Sequence, residues 1–165
     1  ERAVPQFREL KFEQDSTTGR PHLFARYEHY RPKAGWQREE DFSDGTLRLL
    51  GLLWSLLEGD SLLLLEEPEL SLNDAIVSQI PLIVHRMQKQ ARSRRQVLIS
   101  THSEAMLSNP GIDARGVLLI EPVAEGSKIR SVSDDEKISL RAGLSVAEVV
   151  LPKARPRAVE QLGLF

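Results

Sequence analysis

An α/β fold built on a parallel sheet with flanking helices is what this sequence predicts, on three observations. Two short apolar runs, Leu62-Leu63-Leu64-Leu65 and Val97-Leu98-Ile99-Ser100, have the length and content of buried strands. Each follows a segment with helical character, Leu47 to Leu57 before the first and Asp74 to about Ala91 before the second. Helix, strand, helix, strand in that order calls for crossovers, and crossovers join parallel strands.

The remaining elements follow in chain order. Phe7 to Glu13 and His22 to Tyr30 alternate in polarity and are joined by Asp15-Ser16-Thr17-Thr18-Gly19, which predicts a β-hairpin within residues 1–31. Arg31 to Asp41 is polar, holds Pro32 and Gly35, and is expected to be a loop. Ser43 or Asp44 is placed to N-cap the leucine-rich helix. Trp54 on that helix is expected in the core, whereas Trp36 in the polar loop is free to face a partner or a nucleotide. Asp74 is expected to cap the second helix, with Pro81 as a kink inside it. Ser103-Glu104 starts a short helix that ends before Pro110-Gly111, and Gly116 to Glu121 with Ser127 to Val132 predicts a second hairpin. Ser145 with Glu148 forms a capping box for a final helix stopped by Pro152. Residues 1–151 are therefore expected to form one lobe, and residues 152–165, basic and broken by proline, a flexible tail.

The chemistry concentrates at three places. Leu62 to Leu65 stops abruptly at Glu66-Glu67-Pro68-Glu69, the form of a Walker B element, in which one acid helps to hold Mg²⁺ and the next polarises the attacking water. Upstream, Phe42-Ser43-Asp44-Gly45-Thr46 opens a helix whose N-terminal N–H groups and small residues suit a phosphate. Downstream, the strand ending at Ser100 runs into Thr101-His102-Ser103, which puts an imidazole at the same strand end, able to bond a γ-phosphate or the attacking water.

Taken in that order, the three motifs resemble the C-terminal half of an ABC-type ATPase domain over residues of about 40 to 150. Within that superfamily the chain is most similar to the AAA-like ATPases related to RecF and structural-maintenance-of-chromosomes heads, with the fold of a P-loop NTPase head. The resemblance makes Ser43, Asp44 and Gly45 the signature loop, which contacts nucleotide in trans. It makes Leu62 to Glu67 the Walker B strand, with Glu66 on Mg²⁺ through water and Glu67 catalytic. It places the D-loop at Ser71 to Asp74, with Asn73 and Asp74 near nucleotide, and makes His102 the catalytic switch histidine. The core of the head would span residues 40–121. Two departures stand out: the signature loop is Ser-Asp-Gly-Thr rather than Ser-Gly-Gly-Gln, and the first acid is Glu66 rather than Asp, one methylene longer.

A phosphate-cradling loop needs Gly-x-x-x-x-Gly-Lys-[Ser/Thr], yet no lysine here follows a glycine. The expectation is that the P-loop lies in an N-terminal portion of the same ATPase, or in a complementing piece, and that this chain alone is inactive. Joined to that portion it would bind and hydrolyse ATP, with Mg²⁺ as cofactor and ATP as substrate, at the interface of a head-to-head homodimer. The rival expectation is a non-catalytic scaffold or effector-partner lobe. Against it, a pure scaffold has no need of acids beside an apolar strand.

Other chemistries fit less well. Adjacent Glu66 and Glu67 point to opposite faces of a strand and do not form a glycosidase dyad. His102-Ser103-Glu104 lacks the nucleophile elbow of a serine hydrolase, and His22, His29, His85 and His102 lack zinc spacing. The cluster Arg86, Lys89, Arg92, Arg94 and Arg95 is weighed as a helix end neutralising its own dipole, with a nucleic-acid contact left open. With 24 acidic against 22 basic residues, the whole chain does not advertise nucleic-acid binding. It has no cysteine, no secretory signal pattern and no apolar run near the roughly 20 residues of a membrane span. The expected location is cytoplasmic, with no membrane contact.

Overall fold

In the computed structural model, which describes residues 7–28, 35–90 and 95–154, turn chemistry and register set the first layer. Asp15 Oδ1 accepts the Thr17 and Thr18 N–H groups at 2.8 and 2.7 Å, and Gly19 takes φ 69°, so the chain reverses between β1 (Phe7–Gln14) and β2 (Pro21–Tyr27). The predicted hairpin is present, with a bulge between Phe7 and Glu9. A two-residue strand, β3 (Gln37–Arg38), which sequence reasoning placed in a loop, joins β2 antiparallel. A 3-10 turn over Glu39–Asp41 then leads to the first helix. Glu39 pins that turn to β2, pairing with His22 Nδ1 at 2.6 Å and accepting the Leu23 N–H at 2.8 Å. The His22 hydrogen bond, more than any other influence, holds the Glu39 carboxyl down at about 2.

The central layer is α/β. Helix α1 (Asp44–Leu57) leads into β4 (Leu63–Glu66), and the short helices α2 (Asp74–Val77) and α3 (Ile80–Gln90) lead into β5 (Val97–Ser100). β4 and β5 pair in parallel, Leu63 opposite Val97 through Glu66 opposite Ser100, and this is the one parallel pair among the described residues. Leu63, Leu65, Val97 and Ile99 turn to a core of Leu52, Leu56, Val77, Ile80, Val84 and Met106. A second core joins Phe7, Ala25 and Phe42 to Leu49, seating the first sheet on α1.

Three expectations are corrected here. The helix from Asp74 is two helices: Asn73, not Asp74, caps the first, its Oδ1 accepting the Ala75 N–H at 2.9 Å. Pro81 then sits in the opening turn of α3, where its missing N–H costs nothing and its fixed φ favours a start rather than a kink. The predicted end near Ala91 lies outside the described residues, as do Tyr30 and Pro32. Trp54 is 67% exposed, because α1 buries the stripe Leu49, Leu52 and Leu56, and two positions past Leu52 is the far side of the helix.

The last layer packs α4 (Glu104–Leu107), the antiparallel pair β6 (Leu118–Val123) and β7 (Gly126–Ser131), α5 (Asp134–Arg141) and α6 (Val146–Ala154) around Leu119, Val132, Val146, Val149 and Val150. The predicted hairpin and short helix are found, and Ser145 and Glu148 form their reciprocal bonds at 2.7 and 3.2 Å. Helix α6 does not stop at Pro152 but runs to Ala154, since a proline in the last turn removes only one backbone bond. Of the expected tail, residues 152–154 are thus helical, and residues 155–165 lie outside the description. Helix α5 was not anticipated. Among the described residues no helix is long and apolar enough to cross a membrane.

Candidate active site

β4 and β5 end together. Glu66 pairs with Ser100 in the ladder, and Glu67 N–H still donates to the Ser100 carbonyl at 2.9 Å, so the residues just past both carboxyl ends leave the sheet side by side. In open α/β sheets ligands bind at this edge. Glu67 breaks the strand by entering the left-handed region at φ 41°, a conformation that costs a glutamate on the order of 1 kcal/mol. The turn is secured by Leu70 N–H on the Glu67 carbonyl and Leu72 N–H on the Glu69 carbonyl, at 3.1 and 3.0 Å. Glu67 Oε1 thereby meets His102 Nδ1 at 3.0 Å, with side chains 36% and 72% exposed, so the pair is open to a ligand. With Nδ1 facing the Glu67 carboxylate, the ring's Nε2 is left to face one.

Glu66 lies one residue earlier, on the opposite face of the strand. Its side chain is exposed and makes no hydrogen bond or ion pair among the described residues. It shares that face with Leu62, Leu64 and Leu98, which are 52%, 67% and 46% exposed. A parallel pair is ordinarily covered on both faces, so here one face is packed and the other, ending in a free carboxylate, is bare. No three His, Asp or Glu side chains among the described residues converge as a metal site.

Ser43, Asp44 and Gly45, expected as the signature loop, are placed by a close contact. Ser43 caps α1, its Oγ accepting the Thr46 N–H at 3.2 Å, and Ser43 and Asp44 are exposed at the helix start. A Cβ on Gly45 would lie 2.5 Å from the carbonyl oxygen of Ser71, itself at φ 63° in the loop after the acids. Gly45 therefore has an intrachain reason to be glycine: it lets the start of α1 rest against the loop that leaves Glu67. Asn73, two residues on, spends its side chain on capping α2, and Asp74 stands exposed in the first turn.

Two contacts escaped sequence reasoning, one at this edge and one at the opposite, amino-terminal end of β4 and β5. Glu69 accepts the Thr101 hydroxyl in a short hydrogen bond. Arg95, from the basic cluster, reaches across to the end of α1, donating to the carbonyls of Ser55, Glu58 and Ser61 at 2.6, 2.6 and 2.8 Å. It thus neutralises the dipole of α1 rather than that of its own helix. Arg86 and Lys89 are exposed, and Arg92 and Arg94 lie outside the described residues. Trp36 is 38% exposed beneath Lys11, whose Nζ stands 4.5 Å above its ring, on the outer face of the first sheet.

No curated protein matches the chain. A solved structure described as "Structural biochemistry of ATP-driven dimerization and DNA stimulated activation of SMC ATPases" superposes with a TM-score of 0.58 at 15% identity, covering 85% of this chain and 82% of that one, a likeness of fold. The family model described as "AAA domain, putative AbiEii toxin, Type IV TA system" matches residues 2–108, from the first hairpin through His102 to the end of α4. The chain belongs to that family of AAA-type ATPase domains, with the fold of the structural-maintenance-of-chromosomes head.

Proposed function

We propose that this chain supplies the acid, switch and signature side of an ATP-hydrolysing site completed by a P-loop from another segment or subunit, at an interface between two heads. The observation that carries the reading is the meeting of Glu67 and His102 at 3.0 Å, past the carboxyl ends of two paired parallel strands. Glu67 is the base that orients and polarises water, and His102 offers Nε2 to the terminal phosphate. Glu66, unpartnered and exposed, fits an ion held through water, and Mg²⁺ there would neutralise charge developing on the phosphates. Its remaining ligands would come with the P-loop. The bare face of Leu62, Leu64 and Leu98 beside Glu66 is where a P-loop-bearing lobe would cover the sheet. Ser43, Asp44 and Gly45, with Asn73 and Asp74 nearby in the loop, face the nucleotide of the opposing head, so ATP binding favours the dimer and hydrolysis releases it.

Substitution in the P-loop-bearing protein separates the two acids. Glu67→Gln is expected to retain fold and ATP binding while turnover falls by about 10²-fold, because an amide cannot polarise water as a carboxylate does. Glu66→Gln is expected instead to raise the Mg²⁺ concentration needed for half-maximal rate. Interchangeable effects in Mg²⁺ titrations would assign the roles wrongly, and no effect of either would favour the scaffold reading.

A further inference from the structure

We infer that Glu69, the third acid of the run, is the positioning residue of the switch histidine, acting through Thr101; the inference rests on the ATPase reading above. Glu69 and Thr101 lie on different loops, brought together because Glu66 and Ser100 are in register at the ends of β4 and β5. The Thr101 hydroxyl donates to Glu69 Oε1 and in turn accepts the Ser103 N–H at 3.0 Å. His102 sits between those two residues, so the chain on either side of it is tied to one carboxylate. On its other side the imidazole is engaged by Glu67 at 3.0 Å. Glu67 and Glu69 flank Pro68 in a turn closed by the Leu70 and Leu72 amides, which leaves the two carboxylates little freedom to drift apart.

The division of labour follows from atoms. Glu67 is partly exposed and meets the ring, whereas Glu69 turns back into the protein, its Oε2 buried without a hydrogen-bond partner. Its Oε2 is closed to solvent and its Oε1 is taken by Thr101. What it offers is one oxygen as acceptor for the Thr101 hydroxyl, and that need is met by an amide as well as by a carboxylate. The role is therefore geometric, and it separates from a charge role by the choice of substitution.

The test compares Glu69→Gln, Glu69→Ala, Thr101→Val and the Ala/Val double variant. Two readouts are used: NMR signals of the Ser103 amide and His102 ring in the chain, and kcat and KM for ATP in the P-loop-bearing protein. Glu69→Gln is expected to keep both signals at their native positions and kcat within about threefold. Glu69→Ala and Thr101→Val should each move both signals and lower kcat by about tenfold or more with KM unchanged, since misplacing a group near the reacting atoms acts on the chemical step. The double variant should be no worse than either single one, because both break the same link. Failure of Glu69→Gln to the level of Glu69→Ala would assign a charge role and overturn the proposal. Unmoved signals in Glu69→Ala and Thr101→Val, or additive losses, would do the same. Absence of turnover in the unsubstituted P-loop-bearing protein would instead sink the ATPase reading and leave the NMR comparison to decide the positioning role.

Discussion

Gly45 shows how a residue chosen on chemical grounds can also be fixed by packing. The expectation for it was close approach of a nucleotide, yet the nearest reason for a missing side chain is the Ser71 carbonyl, 2.5 Å from where a Cβ would stand. That oxygen is backbone and cannot swing aside, so Gly45→Ala is expected to cost about 1–3 kcal/mol in urea unfolding, with or without nucleotide. An alanine variant of native stability would return Gly45 to a purely ligand-facing role. Glu66, Glu67 and His102 were legible in the sequence because each marks the abrupt end of an apolar run, a local signal. Glu69 with Thr101, and Arg95 with the end of α1, were not legible, since both depend on which strand lies beside which and in what register. The left-handed Glu67 and Ser71 were equally hidden, as neither is the glycine or asparagine that advertises a positive φ.

Among the elements, those with a clean period or a cap were read correctly: the first hairpin, α1, β4, β5 and the capped start of α6, though not its end. Helix α5 was missed because Asp134 to Arg141 is mostly polar, although Ser133 and Glu136 form the same kind of capping box, with bonds at 2.6 and 3.3 Å. Glu136 also anchors the C-terminal layer. Only 3% exposed, it receives Arg130 from β7 at 2.7 and 2.8 Å and Lys153 from α6 at 2.6 Å, while Arg130 also pairs with Glu121 on β6. Arg130 first, then Lys153 and the Ser133 amide, outweigh burial and hold the Glu136 carboxyl well below its ordinary value of 4.5. A carboxylate whose value is lowered on folding stabilises the fold when ionised. Its contribution is complete above about 4.5 and is lost progressively as pH falls below that value. Glu136→Gln is expected to cost about 1–3 kcal/mol at neutral pH by removing the buried carboxylate that Arg130 and Lys153 share, although Arg130 keeps Glu121 and Lys153 is half exposed. The gap between variant and native unfolding midpoints should narrow as the buffer is taken from pH 6 to about pH 2. A gap independent of pH would mean that shape, rather than charge, is what Glu136 contributes.

At the scale of the whole molecule, the described chain is three short sheets rather than one broad one, and its single parallel pair is covered on one face only. The predicted α/β class holds: β4 and β5 are the parallel pair, and the two predicted hairpins supply the antiparallel pairs β1 with β2 and β6 with β7, to which the unforeseen β3 adds. The proposed dimer makes its own prediction. Ser43 is exposed at the start of α1, so Ser43→Arg should leave each head folded and able to bind ATP while blocking close approach of two heads. Mixed with a P-loop-dead partner, it yields heterodimers with one doubly damaged and one intact site, and part of the activity should return. Heterodimers that form but stay inactive would count against action in trans. The most direct measurement of the central claim is steady-state ATP hydrolysis by this chain, alone and then combined with the P-loop portion of the same ATPase, each in native and Glu67→Gln form. The account predicts no turnover by the chain alone, turnover on combination, and a loss of about 10²-fold with Glu67→Gln while nucleotide stays bound. Turnover by the purified chain alone, or turnover on combination that is indifferent to Glu67, would contradict it.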